Sequence, residues 1–88
     1  MGRPTIPVSR EDQVGPALRE IRKAHGLTQR DVSEAMDTEM DPTHMGAYER
    51  GRVVPNTKRL LEILRTHNYV LVLTPREGVP DHGPGTRA

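Results

Sequence analysis

The sequence predicts a small, mainly α-helical domain of four helices followed by one β-strand. Apolar residues recur every three or four positions through most of residues 14–64, which is the spacing of one helix face. Polar capping residues and glycines divide this stretch into four segments. Residues 69–73 are instead a continuous run of Tyr, Val and Leu, which is too short and too β-branched to favour a helix.

The first helix is predicted by its apolar spacing and by its two ends. Val14, Leu18 and Ile21 lie on one helical face. Asp12 precedes them as a candidate N-terminal cap, and Gly26 is placed to end the helix.

The second helix is predicted over residues 29–36, with Thr28 as its cap. Thr28 and Asp31 have the three-residue spacing of a capping box, in which each side chain accepts a hydrogen bond from the other's backbone. Three apolar residues are expected to form its inner face: Val32, Ala35 and Met36.

The third and fourth helices have equally clear starts. Asp41 followed by Pro42 predicts a helix start, since the carboxylate accepts free amides and proline has none to lose. This helix runs to about Arg50, turns Met45 and Tyr48 inward, and ends at Gly51. Asn56 or Thr57 opens the fourth helix, which ends near His67 and carries four apolar residues: Leu60, Leu61, Ile63 and Leu64.

Composition restricts the function classes. With 88 residues we expect one domain, and the absence of cysteine excludes disulfides, a thiol nucleophile and cysteine-based zinc sites. The four histidines lack metal-ligand spacing and no glycine-rich phosphate loop is present, so we expect no enzyme and no cofactor. No apolar run approaches the ~20 residues of a membrane span, which favours a cytoplasmic, nucleoid-associated protein. The net charge of +1 does not by itself indicate nucleic acid.

The two ends of the chain differ from its centre. Residues 1–10 carry two prolines and two arginines with little apolar pattern, which predicts a flexible basic arm. Residues 75–88 are rich in proline and glycine, which predicts a disordered tail. The domain is therefore expected to span residues 11–74.

Two motifs resemble a known family. Leu-Thr-Gln-Arg-Asp-Val at 27–32 and Tyr-Glu-Arg-Gly at 48–51, together with an arginine in the first helix, resemble the XRE or Cro/C1-type repressors over about residues 14–64. The resemblance implies a lambda-repressor-like helix-turn-helix domain whose third helix enters the major groove. It also implies a sequence-specific regulator of transcription, expected to be a repressor, with double-stranded DNA as its partner.

The resemblance assigns the site residues. Base contacts are expected from the third helix, at Pro42, Thr43, His44 and Ala47. Phosphate contacts are expected from the start of the second helix and from the exit of the third: Thr28, Gln29, Arg30, Arg50 and Arg52. For Gln29, His44 and the arginines the alternative is a solvated surface. Arg22 and Glu49 are expected to form an ion pair that joins the first and third helices.

One segment departs from the family pattern. The stretch between Met36 and Asp41 is about two residues longer than the usual turn and carries Asp37, Glu39 and Asp41. Carboxylates that face a polyanion are unfavourable. The longer turn either directs these acids away from DNA or contacts a protein partner.

The strand predicted at Tyr69, Val70, Leu71, Val72 and Leu73 needs a partner, because an isolated strand leaves its backbone groups unpaired. We expect it to pair with the same strand of a second copy, which would place two third helices about 34 to 36 Å apart on a palindromic operator. The alternative is a monomer whose strand packs on the fourth helix. The plan of four helices and a C-terminal strand also resembles HipB-type antitoxins, which implies a toxin partner and autoregulation as a second candidate function.

Overall fold

A computed structural model describes residues 4–75. A short 3-10 helix and four α-helices follow one another along the chain: Glu11–Gln13, α1 Val14–Ala24, α2 Gln29–Ala35, α3 Pro42–Glu49 and α4 Thr57–Thr66. The prediction of four helices is confirmed. Residues 1–3 and 76–88, which include the start of the predicted arm and nearly all of the predicted tail, lie outside the described residues.

Local capping chemistry starts three of the helices where the sequence predicts. Thr28 and Asp31 form the capping box of α2, with the Asp31 amide donating to the Thr28 hydroxyl at 3.0 Å. The Asp41 carboxylate caps α3, and the Asn56 side chain caps α4. Each cap accepts an amide that the first turn would leave unpaired, so the helix starts are fixed by the sequence nearby.

The cap predicted for α1 is wrong. The N-cap of α1 is Gln13, and the short 3-10 helix before it begins after Arg10. The Asp12 carboxylate is instead paired with the Arg10 guanidinium at 2.9 Å, with both side chains largely exposed. The helical segment begins before Asp12, since the Gln13 side chain accepts the Ser9 and Arg10 amides at 2.7 Å and 3.0 Å and starts the 3-10 helix there.

Three helices end in the same way, with a residue of positive φ followed by a backbone bond to the last turn. Gly26 and Gly51 have φ values of 69° and 77°, and Asn68 has a φ of 61°. After Asn68, the Tyr69 amide donates to the Leu64 carbonyl at 2.8 Å. This arrangement is the Schellman motif, which satisfies carbonyls that have no partner within the helix. Both predicted glycine ends are confirmed, and Asn68 acts as a third.

The hydrophobic core joins all four helices and the segment between α2 and α3. Seven apolar side chains are buried in it: Leu18, Ile21, Val32, Met40, Met45, Ile63 and Leu64. Ala35 is exposed although we expected it on the inner face of α2, and Ser33 is buried there instead. Leu61 is also exposed, on the outer side of α4. His67 is fully buried beside the core, which the sequence analysis did not predict.

Helices α1 and α3 are in close contact at Gly15. A Cβ atom on this residue would lie 2.4 Å from the carbonyl oxygen of Tyr48 and 2.8 Å from that of Glu49. Such separations are far shorter than any normal carbon–oxygen contact. The missing side chain of Gly15 therefore allows α1 to lie directly against the C-terminal end of α3.

The segment predicted as a strand forms no strand within residues 4–75. Tyr69 is partly buried, and its hydroxyl donates to the Pro4 carbonyl at 2.7 Å. The four residues after it expose most of their surface: Val70, Leu71, Val72 and Leu73. Strand pairing of this segment is unconfirmed. Ile6, in the predicted arm, packs partly buried against the core. None of the described helices is long and apolar enough to cross a membrane.

Candidate nucleic-acid interface

Three of the four residues that were expected to contact bases lie in the first turn of α3, and Ala47 lies one turn further along the helix. Thr43 and His44 are exposed, and Pro42 and Ala47 are half-buried. Thr43 donates to the Asp41 carboxylate from its amide at 3.0 Å and from its hydroxyl at 2.9 Å. The Thr43 hydroxyl therefore keeps its acceptor lone pairs for an outside donor, and its methyl group remains available for apolar contact.

The Asp41 carboxylate lies at the N-terminal end of α3, where the helix itself holds it. The hydrogen bonds from the Thr43 amide and hydroxyl are the main causes that lower the pKa of the Asp41 carboxyl, and the proximity of His44 and Arg30 lowers it further. The group therefore remains an anion that is occupied in capping. Its negative charge lies beside Arg30, one of the predicted phosphate contacts.

Glu49 at the end of α3 is the centre of a buried polar network. Arg22 donates to its carboxylate from Nε at 2.6 Å and from Nη2 at 3.0 Å, so the predicted ion pair is present with bidentate geometry. The hydrogen bond to Glu49 is the main reason that the pKa of Arg22 is raised. Arg22 also donates from Nη1 to the Leu27 carbonyl at 2.7 Å. One guanidinium thus fixes α3 and the α1–α2 turn together.

Gln29 is more engaged with the protein than the sequence indicated. Its Nε2 donates to Oε1 of Glu49 at 3.1 Å, and the residue is partly buried. A Cβ atom at Gly46 would lie 3.2 Å from Gln29 Oε1 and 3.2 Å from Arg50 Nη1, so both side chains end over the same glycine. One amide hydrogen of Gln29 joins α2 to α3, and the second remains available to an oxygen of a ligand.

The predicted phosphate-contacting side chains are not equivalent. The Thr28 hydroxyl already accepts the Asp31 amide as a helix cap. Arg30, Arg50 and Arg52 are exposed, and none of them forms an ion pair within the described part of the chain. The three arginines therefore have all their donors available to an outside anion, whereas Thr28 offers only its hydroxyl hydrogen, because its hydroxyl oxygen caps α2.

The longer segment between α2 and α3 is exposed in its middle and packed against the core at its two methionines. Met36 is partly buried and Met40 is fully buried, whereas Asp37 and Glu39 are exposed. Asp37 lies 3.6 Å from the Arg65 guanidinium of α4. Thr38, between the two methionines, donates hydrogen bonds to the carboxylate of Glu62 on α4. The sequence analysis did not single out Glu62.

A comparison with family models matches this part of the chain. The model described as helix-turn-helix covers residues 18–70, which is more than half of the 88 residues. The match spans all the residues described above as possible contacts to nucleic acid. No curated protein and no solved structure matches the chain at a significant level.

Proposed function

The chain belongs to the XRE family of helix-turn-helix proteins, which are DNA-binding regulators of transcription, and we propose that it is a repressor that binds a palindromic operator as a homodimer. The observation that carries the proposal is the polar network around Glu49. It fixes α1, α2 and α3 together, while the first turn of α3 and the arginines at its exit remain exposed.

Two kinds of contact follow from this arrangement. Arg30, Arg50 and Arg52 supply positive charge to the DNA backbone, which gives affinity without sequence information. Thr43, His44 and Ala47 offer a hydroxyl, an imidazole and a methyl group to base edges. None of them forms the strong bidentate contacts of Arg, Asn or Gln, so we propose that sequence-dependent DNA shape contributes to specificity.

The homodimer is supported by the exposed apolar segment after α4. Val70 and Leu73 expose 79% and 91% of their surface, which is unusual for four consecutive apolar residues in water. Pairing of this segment with the same segment of a second copy would cover the apolar side chains and satisfy the backbone. A two-fold dimer presents two α3 helices, which calls for two half-sites of opposite orientation.

Selection of duplexes from a random pool, followed by titration at several salt concentrations, tests the proposal. We expect one palindromic motif to be enriched, and we expect its affinity to fall steeply with salt because phosphate contacts release counterions. An affinity that is independent of salt, or a pool in which no motif is enriched, would refute DNA recognition by this chain.

A toxin partner is the second candidate, because the same apolar segment could bind a different protein. In that case the chain would act as a HipB-like antitoxin that also regulates its own operon. Light scattering separates the two proposals: the purified chain is a dimer under the first, whereas under the second the segment is covered only when a toxin encoded beside it is co-expressed.

A further inference from the structure

Glu62 of α4 is a buried carboxylate, and its burial would destabilise the fold if no hydrogen-bond donor reached it. It exposes 7% of its surface, although it lies on a helix that has a solvent-facing side. A charged group in such surroundings needs hydrogen-bond donors to offset its lost hydration. Thr38 provides them, from its amide at 2.9 Å and from its hydroxyl at 2.8 Å and 3.1 Å.

The contact ties α4 to the segment that leads into α3. Thr38 lies 24 residues before Glu62 and four residues before α3 begins. The Arg59 guanidinium supports the same place, with Nη1 3.4 Å from the Thr38 hydroxyl and Nη2 3.5 Å from the Glu39 carbonyl. Met40 then buries its side chain in the core. The segment before α3 is thus held at two successive points.

We propose that Glu62 is a positioning residue for DNA recognition, which sets the placement of the N-terminal turn of α3 through its hydrogen bonds to Thr38. This inference rests on the DNA-binding function proposed above. Glu62 is anionic and buried, so it contacts no phosphate itself. Its effect passes through Thr38 and Met40 to Asp41, which caps the turn that bears Thr43 and His44.

The position of α3 matters for base contacts and much less for phosphate contacts. Hydrogen bonds to base edges depend on the exact placement of a few side chains, whereas long arginines adapt to small shifts of a helix. A segment freed from Glu62 would let the turn of α3 occupy several positions, of which only one fits the groove. Apparent affinity for the selected sequence then falls in proportion to the fraction of molecules in that position.

Thr38→Val with Thr38→Ser as its matched control tests the proposal. Valine keeps the shape and the backbone amide but removes the hydroxyl donor, whereas serine keeps the hydroxyl. We expect Thr38→Val to bind the selected duplex about tenfold more weakly, which corresponds to about 1.4 kcal/mol. Binding to a random-sequence duplex is expected to change little, and Thr38→Ser is expected to behave like the wild type.

A second variant approaches the contact from the other side. Glu62→Ala removes the acceptor, and if the two side chains act through one contact, adding Thr38→Val to it causes no further loss. All titrations are done at a temperature where circular dichroism shows every variant to be folded. Under these conditions a role limited to overall stability changes neither duplex affinity.

The results separate this inference from the proposed function. If the wild type selects a duplex but Thr38→Val binds it equally well, Glu62 does not position α3. Equal losses on the selected and random duplexes overturn the inference as well, because they indicate a general effect on backbone binding. If the wild type itself selects no duplex, the proposed function fails first and the inference fails with it.

Discussion

The Arg22 guanidinium and the Glu49 carboxylate come from positions 27 residues apart and meet at 2.6 Å, with only 11% and 3% of their side chains exposed. Removing one partner would leave the other charge buried and unpaired. We expect Arg22→Met or Glu49→Leu alone to lower the free energy of unfolding by about 3 to 5 kcal/mol. Urea denaturation measures this loss.

The double variant and a surface pair provide the controls for that prediction. Arg22→Met combined with Glu49→Leu is expected to cost less than the sum of the two single changes, because no charge is then left alone. Asp12→Asn breaks the exposed pair with Arg10, which we expect to cost under about 1 kcal/mol. Single variants as stable as the wild type would show that the buried pair does not hold α1 to α3.

Gly15→Ala is expected to destabilise the fold although alanine favours helices. The added Cβ would meet two backbone oxygens at 2.4 Å and 2.8 Å, and backbone can only yield by moving α1 away from α3. Overpacking of this kind costs about 1 to 3 kcal/mol. Thermal unfolding measures it.

Gly46→Ala is the matched control for that substitution. It also places a Cβ in a helix, but the nearest atoms, at 3.2 Å, belong to the side chains of Arg50 and Gln29 and not to the backbone. The helix preference of alanine, worth up to about 1 kcal/mol, offsets part of the shift that these side chains must make, so Gly46→Ala should cost much less than Gly15→Ala. Equal stability of the two alanine variants would contradict the close approach at Gly15.

His67 should make the stability of the fold fall as the pH drops below about 6.5. Its Nδ1 contacts the Ile63 carbonyl at 2.8 Å, so this nitrogen carries the hydrogen, and Nε2 is buried without a partner among the described residues. Burial is the main cause that lowers the pKa of His67; the charges of His25 and Arg22 also lower it, whereas the Ile63 contact and Glu49 act in the opposite direction.

A histidine whose pKa is lower in the folded state stabilises fully only above its unfolded pKa of about 6.5, and this stabilisation is lost as the pH falls from that value through the folded pKa. We therefore expect the urea midpoint to fall between pH 7.5 and pH 5.5. In His67→Asn this slope should disappear, whereas in the exposed His44→Asn it should remain. A wild-type urea midpoint that does not change over this range would contradict the prediction for His67.

The proposed division of contacts predicts two different effects on DNA binding. Arg52→Ala is expected to weaken all duplexes similarly and to reduce the dependence on salt, whereas Arg52→Lys keeps the charge and most of the affinity. Gln29→Ala should also weaken binding to all sequences, with some loss of stability because Glu49 loses a donor.

Substitutions of Thr43 and His44 should change which sequences are selected, at a cost of about 1 to 3 kcal/mol per lost base contact. An unchanged motif in both variants would show that α3 does not read bases in this way.

A charged side chain introduced into the apolar segment after α4 tests whether this segment forms the dimer interface. Leu71→Arg is expected to turn a dimer into a monomer, because a guanidinium cannot be buried against its own copy without cost. Val53 exposes the same 53% of its surface as Leu71 but lies outside the segment, so Val53→Arg should remain dimeric. Light scattering at high micromolar concentration gives the masses. A wild type that is monomeric there, or a dimeric Leu71→Arg protein, would remove this segment from the interface.

Short-range features of the fold could be predicted from the sequence. The caps at Thr28, Asp41 and Asn56 and the glycine at position 51 act on atoms within one helical turn, so neighbouring residues are enough to identify them. The Asp12 cap was wrong at this same range, because the Gln13 side chain starts the helical segment earlier by accepting the Ser9 and Arg10 amides.

Long-range features could not be predicted in the same way. Nothing near Glu62 or Thr38 indicates that the two residues are in contact, since 24 residues separate them and both are residue types that usually lie on the surface. The burial of His67 has the same origin, because its ring packs against that of His25, which follows α1, with the ring centroids 5.5 Å apart. The Arg22–Glu49 pair was predictable only because a related family carries it, and its bond to Gln29 was missed.

Helix α3 is held at both ends, and this has a mechanical consequence. Its eight residues form a rod about 12 Å long. The C-terminal end lies against Gly15, which has no side chain that could yield, so this end can rotate but cannot move closer to α1. The rod therefore works as a lever: a swing of about 10° around that pivot would carry its far end, with Thr43 and His44, through an arc of about 2 Å. That displacement exceeds the tolerance of a hydrogen bond to a base, so base contacts depend on how firmly the N-terminal end of α3 is held.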